Sequence, residues 1–295
     1  MILSKTRHGL GVVYRHLNSG LEPQEEALKF LDFLLQSTLK NNKHGIDVTC
    51  IELKEADFPE FLYDRISDFP PLQDKINQLS IFLKTANHRL IFFLSSYYFF
   101  GSQLSQPVED TRRIVQNIYH LLEDLGIKYP SIILRIGSAY GKRKETMARF
   151  NQEINSLEPE VRKLLAVTND DKPSLFSVTD LLSGIFYPSG IPICFRTLPH
   201  HFNTGDLSIR EALFLSCSTW QKGIKPLFLH AESAKVDPKG FPLSSSPAED
   251  LKYRIPVFGL EVDVLIECPS SFEAAVKYLA AYQSLKPLVI DKSWP

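Results

Sequence analysis

Short apolar segments alternate with longer amphipathic segments along most of the chain. An apolar segment of this kind predicts a buried β-strand, and strands that alternate with helices are typical of a parallel sheet. The predicted strands are residues 10–14, 46–51, 90–93, 132–136, 164–167, 191–195, 227–229 and 262–266. The pattern therefore predicts eight strand–helix units.

The amphipathic segments predict helices because their apolar residues recur at three- and four-residue spacing. The predicted helices are residues 24–40, 72–86, 108–125, 147–154, 177–182, 208–215 and 270–283. Gly126 is a predicted helix stop, Ser177 is a predicted N-cap, and Ser208 with Glu211 predicts a capping box. Residues 237–251, rich in Pro, Ser and Gly, are predicted to form a long loop with a short helix.

These units predict an α/β fold in which a single (β/α)8 domain, a TIM barrel with outer helices, spans residues 1–295. We find no linker that would divide the chain and no short tandem repeat. In such barrels the chemistry lies at the carboxyl ends of the strands. Functional residues are therefore expected directly after the predicted strands.

The composition is that of an ordinary globular protein. Lys and Arg number 33 and Asp and Glu 34, so the formal charge is −1, which excludes a histone-like or tail-driven DNA binder. The N-terminus lacks an apolar stretch typical of a signal peptide. The apolar run at residues 90–100 is about half the length of a membrane-spanning helix. We expect a cytoplasmic protein that does not associate with membranes.

The four cysteines predict reduced core thiols. Cys50, Cys194, Cys217 and Cys268 form no C-x-x-C pair, and most lie in apolar segments. This spacing favours neither a disulfide framework nor a zinc site. The chain has no Gly-rich phosphate loop, no H-E-x-x-H and no G-x-S-x-G, so no cofactor is predicted.

Several stretches that follow or contain predicted strands carry a family resemblance. They read RLIFFLSSY from Arg89, LRIGSAYGK from Leu134, LAVTND from Leu165, IPICFRTLPHHFN from Ile191 and VDVLIE from Val262. In order and spacing these stretches resemble the UV damage endonuclease family over residues 70–285. The resemblance implies a (β/α)8 barrel with a cluster of divalent metals at its open end, where DNA is cleaved beside a UV photoproduct.

The metal-ligand positions of that family are where this chain departs from the pattern. Five of these positions carry other residues, namely Phe93, Arg135, Thr168, Arg196 and Pro199. Glu267 is retained on the last strand. His230 matches a family histidine in only one of two registers, the one that places Phe228 at a family lysine.

Too few donors are left for a multi-metal site, which needs several carboxylates and imidazoles around each ion. Arg135 and Arg196 remain charged at any accessible pH and donate no lone pairs. We therefore predict no bound metal, and we hypothesise that the two guanidiniums partly replace the lost cations, with Glu267 as one counter-ion. Structural ion pairing and anion or phosphate binding are both open for the two arginines.

Other candidates for ligand contact each have a plain structural alternative. Tyr97 resembles a motif tyrosine of the family and could stack on a base or sugar, or it could pack within an aromatic loop cluster. Lys142 resembles a loop lysine near the phosphate backbone, or it is solvated charge at a helix start. His200 and His201 follow a strand in a loop, where ligand contacts concentrate, but such pairs are also frequent on surfaces.

Three functions are compatible with these residues. The first is a UV damage endonuclease-like barrel that binds an anion, nucleic acid or protein partner through its mouth without metal-dependent strand cleavage. The second is an active DNA-repair endonuclease that hydrolyses phosphodiesters of UV-damaged DNA with a site rebuilt from His200, His201, His230 and Glu267. The third is a small-molecule enzyme, since related barrels include sugar isomerases. Metal-dependent nicking of UV-irradiated plasmid separates the first two.

Overall fold

The computed structural model describes residues 9–15, 22–53, 70–94, 97–139, 142–252 and 255–284. Within these ranges, eight parallel strands pair in sequence order, and the last pairs with the first to close a barrel. The strands are β1 (Gly9–Arg15), β2 (Val48–Leu53), β3 (Arg89–Leu94), β4 (Ile132–Leu134), β5 (Leu165–Thr168), β6 (Ile193–Arg196), β7 (Leu227–His230) and β8 (Asp263–Ile266). The predicted (β/α)8 fold is confirmed.

Helices surround the barrel, as predicted from the amphipathic segments. They are α1 (Pro23–Lys43), α2 (Pro70–Ala86), α3 (Ser105–Asp124), α4 (Arg143–Ser156), α5 (Pro159–Arg162), α6 (Val178–Leu181), α7 (Tyr187–Ser189), α8 (Thr197–Phe202), α9 (Ile209–Ser218) and α10 (Ser271–Ser284). A π-helical turn at Leu182–Phe186 joins α6 to α7. Ser177 and Ser208 each form a capping box, with Asp180 and Glu211 respectively. Both predicted helix starts are confirmed.

The short helix predicted within residues 237–251 is wrong. After β7 the chain forms an antiparallel hairpin in which Ser233 pairs with Pro247 and Val236 pairs with Pro242. At its tip the Asp237 carboxylate accepts hydrogen bonds from the backbone N–H groups of Lys239 and Phe241. These local bonds stabilise a turn in competition with a helix.

Strand residues alternate between the barrel interior and the outer helices. The interior is filled by the cluster Val48, Cys50, Ile91, Phe93, Ile133, Ala166, Cys194, Trp220, Leu227, Leu229 and Leu265. The residues between them on the strands, such as Phe92, Leu134, Phe195 and Phe228, pack outward against the helices. The interior side chain nearest the carboxyl end of a strand, or the residue two positions beyond it, therefore points toward the mouth of the barrel.

A charged cluster closes the opposite, amino-terminal end of the barrel. The Asp263 carboxylate pairs with Arg89 Nη1 at 2.6 Å and with Lys225 Nζ at 2.8 Å, and Arg89 also donates to the Lys225 carbonyl. A Cβ at Gly9 would lie 2.0 Å from Asp263 Oδ1, so only glycine fits beside this carboxylate. The cluster was not foreseen from the sequence, because its three charged residues come from distant segments.

The cysteines behave largely as predicted. All four are free thiols, and Cys50 and Cys194 are fully buried inside the barrel. Burial raises the pKa of both thiols, so they are protonated and unreactive at neutral pH. Across the described residues, no helix combines the length and apolar character needed to cross a membrane.

Candidate functional site

The carboxyl ends of four neighbouring strands and of β8 bring the former ligand positions together. Each of these residues lies two positions after an interior residue of its strand, so each side chain points into the mouth. They are Phe93, Arg135, Thr168, Arg196 and Glu267. Of the ligand positions that the resemblance implies, these five point into the mouth, whereas Pro199 lies in the short helix α8.

Arg196 and Glu267 form a two-point ion pair across the mouth. Arg196 Nη2 lies 2.5 Å from Glu267 Oε1, and Arg196 Nε lies 3.2 Å from Oε2. The arginine side chain is only 9% exposed, and the glutamate side chain is 20% exposed. Burial alone lowers the pKa of Arg196, but Glu267 outweighs it and leaves the pKa above its ordinary value. The Arg196 guanidinium therefore stays charged, and the two-point contact is the geometry expected if Glu267 is its counter-ion.

Arg135 is much less completely paired. Its Nη1 lies 3.7 Å from Asp170 Oδ1, and within the described part of the chain its buried Nε has no hydrogen-bond partner. Asp170 is a site residue that the sequence reasoning missed. Its sequence position was the signal that could have found it. Asp170 follows Thr168 by two residues, and in an extended chain residues two apart turn their side chains to the same side.

Both cations lie near the same aromatic ring. The guanidinium carbons of Arg135 and Arg196 lie 5.7 Å and 5.4 Å from the centre of the Phe93 ring. A guanidinium at this distance is attracted to the ring face. Asn169 holds the adjoining strand ends, because its amide accepts from Arg196 N at 2.8 Å and donates to Arg196 O at 3.1 Å.

Burial, and to a smaller extent the neighbouring charges, shifts the pKa of both Asp170 and Arg135. Burial raises the pKa of Asp170 to about 6, although Arg135 and Arg196 act in the opposite direction. Burial, and then repulsion from Arg196, lowers the pKa of Arg135 below its ordinary value. Ionisation of Asp170 at neutral pH therefore costs the folded protein free energy.

A pH-dependent effect on stability follows from Asp170. Its pKa is higher in the folded state than the ordinary 3.8, so its contribution to stability is fully present below about pH 4 and is lost as the pH rises through 6. The free energy of unfolding of Asp170→Asn, relative to the unmutated protein, should rise by roughly 2 kcal/mol between pH 4 and pH 7. Urea unfolding of both proteins across this range measures the difference. A difference that does not change with pH would contradict the shifted pKa.

The histidine candidates do not join the mouth. His230 shares the outward side of β7 with Phe228, and its Nδ1 lies 3.1 Å from Thr197 Oγ1. Burial, with a smaller effect from His201, lowers the pKa of His230 to about 4, so the ring is neutral. His200 is buried on α8 rather than in a loop, packs edge-on against Phe195 and hydrogen bonds to the Leu207 carbonyl.

The remaining candidates occupy the rim or other elements. Tyr97 is 37% exposed and packs edge-on against the buried Tyr98, which matches the aromatic-cluster alternative. Lys142 precedes α4 and pairs with Glu145 at 3.2 Å, which matches solvated charge at a helix start. His201 is exposed on α8, and Pro199 is buried in the same short helix.

The comparison with known families decides the relationship. A family model described as UV-endonuclease UvdE matches residues 37–288. The chain belongs to the UV-endonuclease UvdE family. The match covers most of the barrel, including every strand from β2 to β8 and all the mouth residues described above.

Individual relatives agree with membership of the UvdE family. A UV DNA damage endonuclease of Bacillus cereus (strain G9842) is 31% identical over 168 residues, which are 56% of this chain and 50% of that protein. The chain therefore spans about half the length of the curated relatives it matches. The crystal structure of SacUVDE superposes with a TM-score of 0.75 and 22% identity, covering 96% of this chain and 100% of that one. A D-psicose 3-epimerase in the presence of D-fructose gives a TM-score of 0.57 at 12% identity over 93% and 98% of the two chains. At these identities the structures show the fold alone.

The divalent metals implied by the UvdE resemblance do not fit the residues of this mouth. Among the described residues, no group of three or more His, Cys, Asp or Glu side chains could hold a metal ion. Glu267, the retained carboxylate, is occupied at both oxygens by Arg196. Two guanidiniums beside it add positive charge and no lone pairs. The site that could be rebuilt from His200, His201, His230 and Glu267 is not assembled either, because His200 and His230 lie outside the barrel wall.

Proposed function

We propose that this UvdE-family chain binds DNA through the barrel mouth and does not cleave it by metal-dependent hydrolysis. The observation that carries the proposal is the two-point contact of Arg196 with Glu267. It replaces a metal–carboxylate contact by a guanidinium–carboxylate contact and keeps positive charge at the same place. A phosphodiester could still be attracted there, but no activated water would be generated.

DNA is the partner best supported by the relationship and by the charges. Curated relatives carry the name UV DNA damage endonuclease. Three arginines lie at the mouth of this chain: Arg135, Arg196 and Arg15, which follows by two positions Val13, a β1 residue that packs against the interior cluster. Arg15 and Arg196 lie close to Glu52 and Glu267, whereas Arg135 is only loosely paired. The whole chain carries a formal charge of −1, and each of these arginines has a carboxylate neighbour. DNA affinity must therefore come from direct guanidinium contacts to phosphates at the mouth rather than from a net positive patch.

Cleavage is tested with supercoiled plasmid that has been UV-irradiated. The purified chain with Mn²⁺ or Mg²⁺ should leave the plasmid uncut, while the Bacillus cereus relative, as the positive control, should nick it. Metal analysis of the same preparation should find fewer than two divalent ions per chain. Metal-dependent nicking of the irradiated plasmid, with unirradiated plasmid left intact, would overturn the proposal that this chain does not cleave DNA.

Binding is tested separately by fluorescence anisotropy with a labelled, UV-irradiated duplex. A footprint of about three phosphates predicts that the affinity falls roughly 40-fold between 50 and 200 mM salt. Arg112→Gln breaks an exposed pair with Glu153 on the outer helices and should leave the affinity unchanged. Absence of binding at low salt would remove DNA as the partner.

A further inference from the structure

Three buried polar atoms without partners lie together at one corner of the mouth. They are Arg135 Nε, Thr168 Oγ1 and Asp170 Oδ2, and none has a hydrogen bond within the described residues. Leu134 pairs with Val167, so Arg135 and Thr168 follow side by side at the ends of β4 and β5. Asp170 reaches the same corner, since its other carboxylate oxygen lies 3.7 Å from Arg135 Nη1.

Leaving such atoms unpaired costs stability, so a corner with three of them is built to receive a ligand or water. Thr168 is fully buried and Asp170 is 3% exposed, whereas the Arg135 side chain is 26% exposed and can be reached from solvent. The corner offers a charged N–H donor, a hydroxyl and a carboxylate acceptor. A complementary ligand must therefore accept hydrogen bonds and also donate one.

We propose that Arg135, Thr168 and Asp170 form a subsite for a phosphate group that carries a P–OH, either free hydrogen phosphate or a phosphate monoester at a strand end. The phosphoryl oxygens accept from Arg135 and Thr168, and the P–OH donates to Asp170 Oδ2. A diester inside a DNA strand has no P–OH, and sulfate has none at neutral pH. This subsite adds a ligand class to the proposed function. It rests on the proposed function only in that DNA is the source of the phosphate monoester.

The other charged groups at this corner leave little net charge to attract anions indiscriminately. Arg196 from β6 is matched by Glu267 after β8, and Asp171 and Lys172 after β5 oppose each other in sign. With Asp170 beside Arg135, the local charges balance. Selectivity therefore comes from Asp170. Its carboxylate accepts a hydrogen bond from a P–OH group and repels an anion that has no proton to donate.

The test is calorimetric titration of the full chain with inorganic phosphate and with sulfate at low ionic strength and at pH 7, where Asp170 is mostly ionised and inorganic phosphate still carries a P–OH. The unmutated protein should bind phosphate at least about tenfold more tightly than sulfate. Asp170→Asn should tighten sulfate binding and reduce the preference to less than about twofold, because the repelling carboxylate is gone. Arg135→Gln should weaken phosphate binding by about tenfold or more, while Arg112→Gln on the outer surface should bind as the unmutated protein does.

If Arg135→Gln alone does not fold, the double variant Arg135→Gln with Asp170→Asn removes both charges and should lose the phosphate preference. Equal binding of phosphate and sulfate by the unmutated protein, binding of neither, or an unchanged preference in Asp170→Asn would each overturn the subsite.

Oligonucleotides with and without a terminal phosphate separate the source of the ligand. Tighter binding of the phosphorylated strand supports a strand end, and no difference between the two strands, together with phosphate selectivity, supports free phosphate. Phosphate selectivity without any DNA binding would defeat the proposed function and leave the subsite standing. DNA binding without phosphate selectivity would overturn the subsite and leave the proposed function standing.

Discussion

Glu267→Ala is expected to lower the free energy of unfolding by about 3–5 kcal/mol. The substitution leaves the Arg196 guanidinium buried, with only 9% of its side chain exposed and with Arg135 as a like-charged neighbour. A buried charge that loses its partner keeps its desolvation cost and loses the attraction that offset it. Denaturant unfolding at pH 7 measures the loss.

The matched control removes both charges. Arg196→Met combined with Glu267→Leu should be close to the unmutated protein in stability, or above it, because well-packed apolar residues replace a pair whose desolvation was costly. This contrast separates the ion pair from simple loss of packing. A loss below about 1 kcal/mol in Glu267→Ala, or an equal loss in the double variant, would show that the pair is not the reason for stability at the mouth.

Asp263→Ala is expected to cost a similar amount, about 3–5 kcal/mol, at the opposite end of the barrel. The Asp263 carboxylate, 5% exposed, is held by both Arg89 and Lys225. Without it, the guanidinium of Arg89 would lie against Tyr129 and Trp220 with no counter-ion. Thermal or denaturant unfolding should register the change even though no functional residue is touched.

The exposed pair between Glu160 and Lys163 provides the comparison for this second substitution. Both side chains are more than half exposed, so Glu160→Ala should change the stability by less than about 1 kcal/mol. DNA and phosphate binding by any folded fraction of Asp263→Ala should match the unmutated protein, because the cluster lies at the other end of the barrel from the mouth. Equal effects of Asp263→Ala and Glu160→Ala would contradict the role assigned to the closing cluster.

The two charge clusters connect strands at the two ends of the barrel. At the mouth, Arg196 and Glu267 connect the end of β6 with the residue that follows β8. At the other end, Arg89 and Asp263 connect β3 with β8. Barrel closure is therefore supported by ion pairs between strands that are not neighbours in the sheet.

The sequence by itself determined the barrel and the set of positions at its mouth. Strand periodicity is a local property, and a parallel barrel places every strand end on one face, so Phe93, Arg135, Thr168, Arg196 and Glu267 could be grouped before any coordinates. The presence of arginine at two positions where the resemblance implies metal ligands was readable in the same way, because it depends on residue type and strand position alone.

Only the tertiary structure decided which charges meet and which side of the barrel wall a residue faces. Arg89 and Asp263 are 174 residues apart, and the pairing of Arg135 with Asp170 depends on the register of β4 against β5. His230 was ambiguous between two registers, and the alternation along β7 places it outside with Phe228. Such contacts depend on register and closure, where a shift of one residue turns a side chain to the opposite face, and no local pattern in the chain records that choice.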